Sequence, residues 1–203
     1  MKKLRLLGIG LVLSCFFSTA VHAQKAIEKL SRNYYVAGPQ IEEIQFIEAT
    51  PKCQNYCWAA CAQILLNYHG LSLSQEQIIE RVHIGKPCEI GDGKKMIQAL
   101  NGWSPPSVEK VSKIHASYGI LNPSDLVDHL SNGWPIIVGL DSRSLSGQVY
   151  VLSAVYFSMD NWDNPKIDEV LLRNPWPLSP SEEYMRWDMF KAKNPTFFDV
   201  WVD

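Results

Sequence analysis

Gln54-Asn55-Tyr56-Cys57-Trp58-Ala59-Ala60 is the stretch whose reading decides the fold, and it runs on through Cys61 and Leu65 to His69 and Gly70. Trp58, Cys61, Leu65 and Tyr68 recur at three- and four-residue spacing, which predicts a helix over Cys57–His69. Gly70 is a natural stop, because glycine accepts the left-handed conformation that ends many helices. Cys57 therefore sits in the first turn. Free N–H groups and the positive end of the helix dipole favour a thiolate there. Ala59 and Ala60 behind it let another element approach closely. Taken alone, Cys-Trp-Ala-Ala is equally an ordinary buried helix, so the rest of the chain must decide.

Working outward, Ser74-Gln75-Glu76-Gln77 is a capping box leading into Ile78, Ile79 and Val82, which predicts a second helix. Lys94–Leu100 reads as a third, closed by Asn101-Gly102. A fourth opens at Asn122-Pro123, with proline at the first helical position, and ends near Ser131 before Gly133. The period then changes. Pro135–Leu140 is a short apolar run that suits a buried strand, and Gln148–Phe157 and Ile167–Leu172 follow with the turn-rich Ser158–Lys166 between them. Thr196–Val202 adds a last strand. Upstream, residues 24–40 read as a polar N-terminal arm, and Ile41–Ile47 alternates as a short strand. Helices first and antiparallel strands second make an α+β domain over residues 41–203.

Several blocks then resemble, in order, the bacterial papain-like cysteine peptidases of the secreted type, related to bacteriocin-processing and plant-pathogen effector peptidases. They are QNYCWAACAQILLNYHG (54–70), LSQEQIIERVHIG (73–85), IQALNGW (97–103), GWPIIVGL (133–140), GQVYVLSAV (147–155) and VLLRNPWP (170–177). The resemblance implies a papain-like fold, with a nucleophile helix in the N-terminal half and an antiparallel sheet in the C-terminal half. It puts Cys57 at the nucleophile position. The family's base histidine follows a glycine at the head of an apolar strand, and the corresponding Gly147-Gln148-Val149-Tyr150 places Gln148 there. The orienting residue heads an Asn-Pro-Trp turn, here Asn174-Pro175-Trp176, where asparagine can fix an imidazole tautomer. The family's oxyanion glutamine falls at Pro51, and the nearest glutamine is Gln54. Trp58 and Trp176 are expected as walls of the cleft.

Gln148 is the decisive departure. Imidazole makes the thiolate and later protonates the leaving amine, whereas a glutamine amide does neither. General acid–base work is worth roughly 10²–10⁴ in rate. The expectation is an impaired or inactive peptidase homologue that keeps a peptide-binding cleft. Two rivals stand beside it: an active thiol peptidase or acyltransferase using Cys57 with an unusual base, and a non-enzymatic inhibitor or immunity-type protein. No other histidine is an evident substitute. His69 closes the nucleophile helix, His83 closes the second, His129 lies on the fourth, and His115 belongs to a segment without clear periodicity.

The start of the chain carries its own reading. Lys2, Lys3 and Arg5 precede an apolar run from Leu6 to about Ala20 and then Val21-His22-Ala23, the three parts of a secretory signal. Cleavage after Ala23 is preferred over lipidation at Cys15, since Leu13 and Phe16-Phe17 suit a lipoprotein signal poorly. The expected location is periplasmic or secreted, in a bacterium. Residues 24–203 then hold 16 cations against 21 acids, a net charge of −5.

Export also sets how cysteines are read, because thiols in an oxidising compartment pair by default. A disulfide from Cys88 to Cys61 or Cys53 is expected, with Cys61 preferred because Cys53 lies in a loop, and Cys57 is left free. Cys53, Cys57 and Cys61 at four-residue spacing lack a fourth ligand, so no metal is assigned. Asp160, Asp163 and Asp168 lack the glycine and late glutamate of a calcium loop and read as a hairpin turn.

Composition bounds the alternatives. A chain of 203 residues, 46% apolar and rich in aromatics, has the makings of one globular domain rather than a disordered polymer. A formal charge of −2 disfavours a nucleic-acid partner. No apolar run after the leader approaches membrane-span length. The expected partner is a peptide or protein, with no cofactor and a monomeric state.

Overall fold

The computed structural model describes residues 27–39, 49–82, 88–89, 91–106, 112–119, 122–140, 148–176 and 181–203. The leader, the strand expected over Ile41–Ile47 and His83 lie outside the described residues. Among those described, eight strands form one antiparallel sheet: β1 (Ile27–Ser31), β2 (Tyr34–Ala37), β3 (Ile114–Gly119), β4 (Ile136–Leu140), β5 (Gln148–Met159), β6 (Pro165–Arg173), β7 (Glu182–Arg186) and β8 (Thr196–Val202). The centre is β5, the longest. Its first half pairs with β4, from Leu140↔Gln148 to Ile136↔Leu152. Its second half pairs with β2, and its opposite edge with β6, which carries β7. On the far side of β4 come β8 and then β3.

Both faces of this sheet are buried, which is why β4 and β5 read as unbroken apolar runs instead of alternating ones. The side chains still alternate, each to its own core. Val149 and Val151 face α1 (Cys57–Tyr68), α2 (Gln75–Glu80) and α3 (Gly93–Leu100), together with Ile137, Phe198 and Val200. Tyr150, Leu152, Val155 and Phe157 face α4 (Pro123–Ser131) and α5 (Trp187–Ala192), together with Leu126, Leu130 and Phe190. A shift of one residue in the β4–β5 register would exchange the two sets, so the packing holds the register. Helices in the first half and an antiparallel sheet in the second match the expected α+β architecture.

The local signals behave as their chemistry predicts. Ser74 and Gln77 close a reciprocal capping box on α2. Asn122 caps α4 through Asp125 N–H, with Pro123 at the start. Gly70 takes φ +81° just after α1. The expected polar arm is corrected over residues 27–37: it is a hairpin whose second strand extends the sheet along β5 and buries Ala37.

One glycine is required by a close approach. Trp58 is wholly buried on α1, and a Cβ on Gly91 would overlap its Nε1 and lie 2.7 Å from its Cε2. Overpacking of this kind costs about 1–3 kcal/mol. Gly91→Ala should therefore lower the unfolding free energy by that amount in urea titration, with Trp58 fluorescence shifted. An unchanged midpoint would mean that the 91 segment does not press on the indole.

Candidate functional site

Cys57 opens α1, as expected. No side chain caps this helix end, since Tyr56 at the cap position makes no side-chain hydrogen bond, and the first turn holds no acid. Backbone N–H groups and the dipole therefore favour negative charge near the sulfur. Burial opposes them and wins. Cys57 is only 8% exposed, and desolvation pushes its thiol above the ordinary value. A hydrogen bond from Trp176 and a backbone hydrogen bond pull the other way without reversing the direction. The net direction is thus opposite to the activation that the helix end alone favours.

Among the described residues, two groups hydrogen-bond with the sulfur. The Trp176 indole Nε1–H donates to Sγ at 3.0 Å, and the thiol in turn donates to the Gln54 carbonyl at 3.5 Å. Gln54 thus meets Cys57 through its backbone, while the residue as a whole is exposed. The side chain of Gln148 is not among the sulfur's hydrogen-bond partners in the described residues. Gln148 is the exposed first residue of β5. Its neighbour Val149 accepts from Cys61 Sγ at 3.5 Å, which sets the head of β5 beside α1 one turn below Cys57.

Asn174 is half-buried and spends its carbonyl locally. Its Oδ1 accepts from Trp176 N–H at 3.0 Å, and its own N–H donates to Ser181 O at 3.1 Å. Asn174 therefore shapes the turn that delivers Trp176 to the sulfur. Trp176 stands against Cys57. Trp58 is a fully buried core residue, and its placement in the wall is corrected.

The disulfide joins Cys53 to Cys88, not Cys61 to Cys88. Cys61 lies on the face of α1 that packs on β5, is wholly buried and stays free. Burial pushes its thiol well above the ordinary value, with the neighbouring Cys57 adding to the effect. Cys53 sits in the loop before α1, where it can reach the 88 segment. Two hydrogen bonds flank the bridge, from Asn55 Nδ2 to Cys88 O at 2.7 Å and from Cys88 N to Tyr56 Oη at 3.0 Å. Residues 53–56, which lead directly into Cys57, are tied to Cys88 three times over.

The described histidines serve other contacts. His69 is twelve residues along from Cys57, about 18 Å at the helical rise. His115 stacks on Trp201 at the sheet margin and bonds Asp203 at 2.9 Å. His129 Nε2 on α4 lies 2.8 Å from Asp199 Oδ1 of β8, without the alignment of a hydrogen bond. His69 Nε2 is buried and makes no hydrogen bond among the described residues. Desolvation, with a smaller contribution from His129, lowers its pKa below 6.5. The native state thus resists protonating it, while the unfolded state protonates it normally. Stability from this group is full above about pH 6.5 and falls as the pH drops below that value toward the lowered native pKa. His69→Gln should flatten the fall in unfolding free energy between pH 7 and 5. An unchanged slope would show that His69 titrates alike in the native and unfolded states.

The Asp160 loop closes the β5–β6 hairpin, with Asp160 Oδ1 accepting from Trp162 and Asn164 N–H at 2.8 and 2.9 Å. No helix among the described residues is long and apolar enough to cross a membrane.

No protein-family model matches the chain, and no curated protein matches it. Among solved structures it is similar to the peptidase domain of Streptococcus ComA, described as a bi-functional ABC transporter involved in a quorum-sensing pathway. The two are 13% identical, the match covers 77% of this chain and 97% of that one, and the TM-score is 0.49. At these values the likeness is one of outline.

Proposed function

We propose that this chain is an exported papain-like cysteine-peptidase homologue in which Cys57 is catalytically dormant and the cleft beside it binds peptide. The observation that carries the reading is the sulfur's surroundings. Cys57 has the nucleophile's place at an uncapped helix end, yet its partners are an indole donor and a carbonyl, neither of which can take and return a proton. Its raised thiol pKa leaves little thiolate near neutral pH. Gln148, exposed at the head of β5, stands where the family's base would be and Asn174 where its orienting group would be.

The Cys53–Cys88 bridge supports an oxidising compartment and, with the three-part leader, export with residues 1–23 removed. A monomer is the working state. The test is peptide turnover and binding on the same samples. Wild type and Cys57→Ser should release no fragments from a mixed peptide pool, while both retain part of it on a column. Cleavage that disappears in Cys57→Ser would overturn the dormant reading in favour of a thiol peptidase. Loss of all retention would remove the cleft.

A further inference from the structure

Asn174, Pro175 and Trp176 do more than border the sulfur. The Asn174 side chain holds Trp176 N–H at 3.0 Å, Asn174 N–H is anchored on Ser181, and the indole that results is directed at Sγ at 3.0 Å. Trp176 is only half-buried, although it packs against the core containing α1. Cys57 beneath it retains 8% exposure. The ring is half-exposed over a covered thiol and is carried on the segment that follows β6.

We propose that Asn174 and Trp176 form a latch over Cys57, in which the indole shields the sulfur and must swing aside before any electrophile or peptide carbonyl can approach it. This rests on the dormant-thiol reading above and adds its regulation. Asn174 is a positioning residue in the latch, acting only through Trp176. The arrangement contains two separable effects. The ring excludes water and reagent, which lowers reactivity. The N–H donor stabilises charge on sulfur, which raises it.

Their opposite signs make the latch testable by the second-order rate at which iodoacetamide modifies Cys57, followed by peptide mass in the full chain with its disulfide intact. Trp176→Ala removes both ring and donor, and because uncovering the sulfur outweighs the lost donor it should raise the rate roughly ten-fold, equivalent to about 1.4 kcal/mol off the barrier. Trp176→Phe keeps the cover and loses the donor, so its rate should stay at or below wild type. Asn174→Ala should behave like Trp176→Ala, and Asn174→Asp, which keeps an acceptor for Trp176 N–H, should restore the slow rate. Wild-type rates in both Trp176→Ala and Asn174→Ala would overturn the latch, and so would a Trp176→Phe rate equal to that of Trp176→Ala. If Trp176→Ala does not fold, the Asn174→Ala and Asn174→Asp pair decides alone. Peptide cleavage by wild type would sink the dormant reading without touching these ratios, so the two failures are distinguishable.

Discussion

Gln148→His should raise covalent capture of Cys57 by a peptidyl electrophile about 10-fold or more, within the 10²–10⁴ that a placed base supplies. Cys61 Sγ bonds Val149 O, and Cys61 lies one turn after Cys57, so the chain at the head of β5 passes beside α1, while Gln148 is in step with Tyr150 and Leu152 of the opposite face. The capture rate therefore reads whether an imidazole at this exposed strand end reaches back to Sγ, where it would take the thiol proton and form an ion pair with the sulfur. Gln148 is exposed and begins its strand, so the exchange should cost no more than about 0.5 kcal/mol of stability. The gain should vanish in Cys57→Ser. Because Trp176 already occupies the sulfur, the gain should be larger in Trp176→Ala, a non-additivity that neighbours sharing one atom must show. No rise in either background would mean that the head of β5 does not face Cys57.

Removing the bridge should produce the largest loss of stability. Cys53 and Cys88 are 35 residues apart, and closing a loop of that length in the unfolded chain is worth about 4 kcal/mol in the chain-entropy view. The double variant Cys53→Ser/Cys88→Ser keeps the Asn55 and Tyr56 hydrogen bonds to residue 88 as its remaining ties. Urea titration should show a loss of about 2–4 kcal/mol and a steeper slope, since the unfolded chain becomes more expanded. A loss below about 1 kcal/mol would indicate that the bridge constrains little in solution. The variant also loosens the loop entering α1, so Cys57 labelling should change with it.

What the sequence disclosed depended on how local the cause was. Helices α1, α2 and α4 were legible because their caps, stops and apolar spacing lie within each segment. Strands β4 and β5 were legible because burial on both faces leaves a continuous apolar run. The hairpin of β1 and β2 was not. Every residue of β1 is exposed, so no alternation marks it, and β2 is held by pairing with β5 more than a hundred residues away. The same holds for β3, whose partner β8 is the last strand, and for β7, whose Glu182-Glu183-Tyr184-Met185-Arg186 reads as surface until β6 is beside it.

At the site, Cys57 was recoverable from its place in α1, and Trp176 from the Asn-Pro-Trp turn. Two readings missed for a shared reason, which is that spacing does not report burial. The helix end suggested an activated thiolate, but burial of Cys57 raises its thiol pKa despite the hydrogen bond from Trp176. Cys61 was preferred for the bridge, but its helical phase directs it into the core against Val149, while the loop position of Cys53 is what lets it reach Cys88.

The central claim is that Cys57 is a covered thiol of raised pKa, with no base among the described residues bonded to it. Its most direct test is the pH profile of Cys57 alkylation in the wild-type full chain, followed by peptide mass so that Cys61 is scored separately. The account predicts a slow reaction at pH 7 and a single rise with a midpoint above that of an ordinary thiol. A midpoint at or below neutrality, the signature of a thiolate paired with a base, would contradict it.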